Sequence, residues 1–373
     1  MEASEKKRVL LVSCDGLGNG GVQAVMMSIV RSLSGSCLFD ALLFTEEIRH
    51  YDREFQSFGG TIHRIPKYEG SSGLMRKLDR YVRGPRLYRA LLKLFAEQPA
   101  YDAVHCNNAF EGALVLKAAK KAGVPIRIMH SHTRGFGGNI IADAMDSHRR
   151  RMINKYATVR IGCSAEACKA LYGTDKNTLV IPNAYDEKRF DRKRFDDSGP
   201  HPLKMVQIGS FNPTKNQLFS VKVLAELVKL EPEARLVFIG FPIGDYKEKV
   251  KSAAERMGML ERVDMLEGDA DSPAVMSSSA CLLLPSLNEG FGIVLAEAQA
   301  MGLRCYASEG VPGAADRGGV SYIPLEEGAE GWAKRIAADH KLYRGVHGNW
   351  DVSDLASDAI SARYAAIYGV KGS

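Results

Sequence analysis

The stretch Cys281-Leu282-Leu283-Leu284-Pro285-Ser286-Leu287-Asn288-Glu289-Gly290-Phe291-Gly292-Ile293-Val294-Leu295-Ala296-Glu297-Ala298 decides how the chain folds. Its first four residues read as a strand covered on both faces, which needs no polar alternation. Pro285 ends that strand, and a loop with two glycines follows. From Ile293 to Met301 the residues suit a mostly buried helix, and Gly302 stops it. Strand, glycine loop and helix in this order form half of a βαβ unit, whose strands pair in parallel.

The same alternation extends outward from that stretch. Val9–Ser13, Ala41–Phe44, Thr61–Ile65, Ala103–His105, Ile126–His130 and Arg160–Cys163 read as strands of one run, with a helix from Val22 to Leu33. Lys204–Ile208, Leu236–Ile239, Val263–Leu266, Cys281–Leu284 and Cys305–Ala307 make a second run. Two runs predict two doubly wound α/β domains facing an interdomain cleft, over residues 1–184 and 185–353, with helix 354–373 packing on either. Asp186–Pro202, rich in charge, Gly and Pro, reads as a linker.

Composition narrows the function classes. The 373 residues are 45% apolar and 25% charged, an ordinary globular balance. No apolar run reaches the roughly 18 residues of a membrane helix, and glycines follow the first apolar strand where a secretory cleavage site would stand. A cytoplasmic protein is expected. Seven scattered cysteines without C-x-x-C pairs suggest neither a disulfide framework nor a zinc site, and Cys14, Cys281 and Cys305 read as small core residues. The first 200 residues carry 32 Lys+Arg against 22 Asp+Glu, the remainder 18 against 22. Much of the excess lies between Arg76 and Lys93, interleaved with apolar residues at helical spacing. That stretch fits peripheral contact with an anionic membrane surface or a solvated helix face equally. No aromatic-and-basic platform accompanies it, so nucleic acid is not an expected partner.

In doubly wound sheets ligands bind beyond the carboxyl ends of strands. The first such loop holds Gly16, Gly18, Gly20 and Gly21. Its G-x-G-x-x-G pattern lets backbone N–H groups approach a phosphate, a dinucleotide with Glu46 or Glu47 on its ribose, or an acceptor. A tight turn without a ligand is the plain alternative. His130 and His132 sit at i, i+2 on a strand end and share a face. They suit hydrogen bonds to substrate hydroxyls better than a metal, for which no third ligand is near. Gly209-Ser210 with Lys215 makes a glycine turn and a lysine near a helix start, able to hold a diphosphate. In the opening stretch, N–H groups from Gly290 through Phe291 and Gly292 to Ile293 are candidates for phosphate. Glu289 and Glu297, one before the helix and one a turn inside it, are acceptors for sugar and ribose hydroxyls. Asp269-Ala270-Asp271 mimics a D-x-D metal motif, but a turn or helix cap explains it better.

Glu289 and Glu297, seven residues between them, in Asn-Glu-Gly-Phe-Gly-Ile-Val-Leu-Ala-Glu-Ala resemble the E-x7-E signature of retaining family 4 glycosyltransferases. Gly20-Gly21-Val22, Val180-Ile181-Pro182-Asn183-Ala184 and Lys215-Asn216 resemble further segments of that family in the family's order. Ser164-Ala165 and His130-Ser131-His132 resemble its bacterial exopolysaccharide and capsule members. The resemblance implies a GT-B fold of two Rossmann-like domains and transfer from a nucleotide sugar, by family habit a UDP-sugar, to a glycan or lipid-linked acceptor. It implies front-face attack with the departing phosphate as base, and no cofactor or metal. By position, it puts Glu289 on the donor sugar, Glu297 on the ribose, and Lys215 with the N–H groups of Gly290 to Ile293 on the diphosphate. Gly21 would approach that diphosphate, and His132, with His130 beside it, would lie near the reacting carbon. One departure stands out: Ser210 follows Gly209 where the family commonly has Arg, so a diphosphate cation is missing unless Arg134 supplies it. The alternatives are a catalytically impaired sugar-nucleotide-binding homologue, a sugar-nucleotide epimerase and an NAD-dependent oxidoreductase using the G-x-G-x-x-G loop; the last leaves residues 204–302 unexplained.

Overall fold

The structure is a computed structural model. It describes residues 6–14, 16–18, 20–65, 73–107, 109–132, 140–195, 203–343 and 346–370, with backbone only for 73–83, 109–110 and 140–146. The chain divides into two compact units: residues 1–184 with 357–373, and residues 185–356.

The first unit has seven strands: β1 Lys7–Ser13, β2 Cys37–Leu43, β3 Ile62–Arg64, β4 Ala103–Cys106, β5 Ile126–Ser131, β6 Val159–Gly162 and β7 Leu179–Val180. They form one parallel sheet in the order β3-β2-β1-β4-β5-β6-β7. Central strand β1 shows why its sequence is apolar throughout. Val9 and Leu11 pack into the layer under helices Gly21–Leu33 and Ser357–Tyr368, while Leu10 and Val12 enter the opposite layer with Leu91 and Leu116. Alternate side chains therefore serve two cores.

Helix Gly73–Glu97 uses the described part of its apolar face for that second core. Leu87 and Leu91 are buried, Tyr88, Leu92 and Phe95 pack against it, and Arg86, Arg89 and Lys93 point to solvent. From residue 84 onward the apolar residues are thus committed to packing, which favours the solvated-face reading over membrane contact. The side chains of Arg76, Lys77, Arg80 and Arg83 lie outside the described residues. Among the described residues no helix is long and apolar enough to cross a membrane.

The second unit has six strands: β8 Lys204–Ile208, β9 Arg235–Ile239, β10 Val263–Leu266, β11 Cys281–Leu284, β12 Arg304–Ala307 and β13 Val320–Tyr322. They are parallel in the order β10-β9-β8-β11-β12-β13. Both sheets therefore reverse strand order once, between β1 and β4 in the first unit and between β8 and β11 in the second. Loops leaving a reversal point diverge to opposite faces and open a crevice between them, where ligands of this architecture bind.

Two expectations are corrected. Residues 186–195 are not a free linker but part of the second unit. Phe190 is buried, Asp191 caps the short turn Arg192–Arg194, and Arg192 Nη1 donates to Gly348 O at 3.0 Å. The stretch 354–373 does not form one helix: Ser353–Leu355 is a 3-10 turn of the second unit, and the helix begins at Ser357. That helix packs on Gly21–Leu33 with Ile360, Tyr364 and Tyr368 buried, and Ser28 Oγ donates to Ser357 Oγ at 2.9 Å.

Candidate functional site

In the second unit, the two loops at the strand reversal build one constellation. After β8, Gly209 has φ +151°, and a Cβ there would sit 3.2–3.6 Å from the Lys215 stem. Asn212 caps the turn Pro213–Lys215 by accepting from Lys215 N, and Gln207 Nε2 donates to Lys215 O at 2.7 Å. The Ser210 carbonyl accepts from Gln217 Nε2 at 3.0 Å. The loop after β11 is tied to this one: Leu287 N donates to Thr214 O at 2.8 Å and Asn216 Nδ2 to Pro285 O at 3.1 Å. Across that junction Lys215 Nζ forms an ion pair with Glu289 Oε1, which also accepts from Ser286 Oγ at 2.8 Å. The side chains are 24% and 12% exposed, so the pair is largely shielded from water.

Gly292, with φ +78°, stands at the N-cap of helix Ile293–Ala300 and offers no side-chain cap. Its left-handed conformation turns the chain from loop to helix, and a Cβ there would press on Val311 at 3.1 Å. Phe291 is buried and anchors the turn, while Gly290, Gly292 and Ile293 bring main-chain groups to the positive helix end. Glu297 lies one turn in and is half-buried. Burial pushes its carboxyl from 4.5 up to about 7, Arg189 pulls it down and Asp186 pushes it up. A carboxyl raised on folding is disfavoured as its anion, so its contribution falls as pH rises from about 4.5 to about 7 and stays low above. Glu297→Gln is therefore expected to stabilise the ligand-free chain at pH 8 by about 2 kcal/mol, but not at pH 4.5, in paired melting curves.

In the first unit the loop after β1, at the reversal point, carries Gly20 and Gly21, and β5, beside β4, carries His130 with His132 just past its end. A Cβ on Gly20 would meet Gln23 Oε1 at 2.5 Å, whereas Gly21, opening its helix, has free space. Arg49 packs against Gly16 and Gly18 and pairs with Glu47 Oε2. Glu47 is thereby engaged, and Arg49 fills the space beside the glycines that the dinucleotide reading requires. His130, next to last in β5, is buried, and half-buried His132 lies with its ring centroid 3.9 Å away. His132 Nε2 lies 3.1 Å from Asn107 Oδ1. Burial lowers the His132 imidazole to about 4 against an opposing push from Asn183, so it is neutral at pH 7.

Sequence reasoning missed several groups here. Asn107 and Ser286 each orient a candidate side chain. Cys14 is half-buried rather than core, and its Sγ donates to buried Glu111 Oε2 at 2.6 Å. Asp271 caps helix Ser272–Ser277, accepting from Ala274 N at 3.3 Å. Among the described residues no cluster of three His, Cys, Asp or Glu could hold a metal. Arg134, Asp15 and Asn19 lie outside the described residues.

Residues 20–184 match the family model of the glycosyl transferase 4-like domain, and residues 189–317 that of glycosyl transferases group 1. The two units are glycosyltransferase domains. EpsF of Bacillus subtilis (strain 168), named as a glycosyltransferase, is 28% identical over 90% of this chain and 88% of its own length. The UDP-Gal:alpha-D-GlcNAc-diphosphoundecaprenol alpha-1,3-galactosyltransferase of Escherichia coli is 27% identical over 59% of this chain and 60% of that one. Among solved structures, Anabaena Alr3699/HepE in complex with UDP superposes with a TM-score of 0.70 at 16% identity, over 97% of each chain. The shared architecture is GT-B.

Proposed function

We propose that the protein is a retaining, metal-independent hexosyltransferase of family 4. It would move a sugar from a UDP-sugar to a glycan or lipid-linked acceptor in polysaccharide assembly, with Lys215, Glu289, Glu297 and the Gly290–Ile293 backbone as its donor site. The observation that carries this reading is the Lys215–Glu289 ion pair at the N-terminus of helix Ile293–Ala300. Ammonium, helix end and two carboxylates form a charge pattern suited to a diphosphate flanked by two hydroxyl-bearing rings. An incoming diphosphate competes with Glu289 for the ammonium. As Lys215 turns to phosphate oxygens, Glu289 is left free to accept from sugar hydroxyls, so binding the donor switches on the second contact. The departing phosphate, held by Lys215 and the helix end, is stabilised as negative charge builds on it.

The relatives' names support the substrate class: one acts on a UDP-sugar and a lipid-diphosphate acceptor, and HepE is recorded with UDP. For His132, His130, Gly20 and Gly21 the roles rest on the resemblance. Assignment to exopolysaccharide assembly rests likewise on the resemblance. The discriminating experiment is a thermal-shift comparison followed by a hydrolysis panel of common nucleotide sugars. UDP at millimolar concentration is expected to raise the melting temperature and NAD to leave it unchanged. At least one nucleotide sugar should hydrolyse slowly without acceptor; silence across the panel would favour the impaired-homologue reading.

A further inference from the structure

Beneath His132 the first unit buries a run of polar rings closed off from solvent. His105 on β4 and Tyr368 on helix Ser357–Tyr368 are fully enclosed. Tyr368 Oη lies 2.7 Å from His105 Nδ1, and His105 Nε2 lies 3.3 Å from His130 Nδ1. The rings of His105 and His130 are nearly parallel, with centroids 5.4 Å apart, and His130 in turn lies against His132. Among the described residues His130 Nε2, His132 Nδ1, Asn183 Oδ1 and Tyr364 Oη have no hydrogen-bond partner. Burial lowers the affinity of all three imidazoles for a second proton; neighbouring rings reinforce this at His105 and His130, while Asn183 opposes it at His132.

With the rings neutral, only two proton arrangements link the chain. In one, Tyr368 donates to His105 Nδ1 and His105 Nε2–H donates to His130 Nδ1, leaving His130 Nε2–H and the weakly accepting Tyr368 phenol oxygen unpaired. In the reverse, His130 Nδ1–H donates to His105 and His105 Nδ1–H to Tyr368. That leaves the Tyr368 hydroxyl proton and the His130 Nε2 lone pair both unpaired. Each arrangement strands one donor, but the reverse also strands an imidazole lone pair, a stronger acceptor than a phenol oxygen, so the first arrangement prevails.

We propose that Tyr368 and His105 are positioning residues: this one-way chain fixes the tautomer of His130 and so holds an N–H, not a lone pair, at its free end beside the His132 ring. An N–H dipole there opposes a positive charge on His132. The Asn107 carbonyl oxygen meanwhile takes the Nε2–H of His132, so the lone pair stays on Nδ1. Among the described residues the groups around His132 are His130, His105 and Asn107 from β4 and its loop, and Asn183, with the Tyr364 and Tyr368 rings packed on His105 and His130. A ring held neutral adds no positive charge that would draw an anionic oxygen, so the device favours sugar over phosphate beside His132. That consequence rests on the nucleotide-sugar reading above.

The test uses the full chain with 15N-labelled histidine and reads ring tautomers by long-range NMR correlation. In the wild type, His105 and His130 should each carry their proton on Nε2 alone. Tyr368→Phe keeps the ring packed against Phe39 but removes the donor, and both histidines should then show mixed tautomers. Turnover of the nucleotide sugar should fall roughly tenfold in kcat, with KM moving less than about twofold, because geometry and binding surface persist. Tyr364→Phe removes a hydroxyl that has no partner among the described residues and should leave tautomers and kcat unchanged. Protonated Nδ1 on wild-type His105, or an equal response to Tyr364→Phe, would overturn the proposal. If no nucleotide sugar is turned over at all, the functional reading fails while the tautomers still decide the chain.

Discussion

Glu289→Ala is expected to lower turnover of the nucleotide sugar by about a thousandfold or more, while the chain stays folded. The loss has two physical parts. Glu289 supplies the carboxylate nearest the helix end, so a sugar that it orients loses the contact that aligns its reacting carbon with the acceptor. Misalignment of about 1 Å alone can cost two orders of magnitude. The same substitution releases Lys215, whose ammonium is otherwise shared between Glu289 and the incoming diphosphate, so nucleotide affinity should hold or rise as kcat collapses. Folding survives because the loop is anchored elsewhere: Glu289 N donates to Gly310 O at 3.0 Å, Leu287 N to Thr214 O, and Phe291 is buried. The experiment pairs single-turnover rates with calorimetric binding of UDP and a melting curve. Unchanged turnover would remove Glu289 from the site.

The elements that were legible before the structure are those whose burial is written into a few adjacent residues. Cys281–Leu284 and Lys204–Ile208 are strands because both faces are covered and every position is apolar or shielded. β7, with two exposed residues, and β13, with two partly exposed and one exposed, carry no such signal. Their pairing with β6 and β12 comes from chain geometry at the sheet edge. Residues 186–195 misled for the opposite reason: one buried aromatic, Phe190, outweighs a run of charges that looks solvated. In the site, Lys215 and Glu289 were each legible from local chemistry. Their contact was not, since it spans 74 positions and exists only because β8 and β11 are neighbours at the strand reversal. The His105–Tyr368 bond, across 263 positions, depends on the last helix returning to the first unit. No local pattern encodes that return.

Lys215→Met should weaken UDP binding by roughly 10- to 100-fold, the worth of one charge-assisted hydrogen bond to phosphate, and leave uridine binding nearly unchanged. Methionine keeps the length of the stem that packs on Gly209, so the change isolates the charge. The effect should fall toward the upper end because Ser210, on the same loop, offers a hydroxyl where a guanidinium would share the load. Installing that cation tests the same point from the other side. Ser210→Arg in the Lys215→Met background should recover part of the UDP affinity, and both affinities should drop as salt rises. A further variant separates phosphate binding from loss of the ion pair. Glu289→Gln removes the competitor for the ammonium, so Lys215→Met with Glu289→Gln should cost turnover less than the two single losses combined. Strict additivity would mean that the ammonium and the carboxylate act on different parts of the ligand without ever exchanging partners. An unchanged preference for UDP over uridine in Lys215→Met would place the diphosphate away from this lysine.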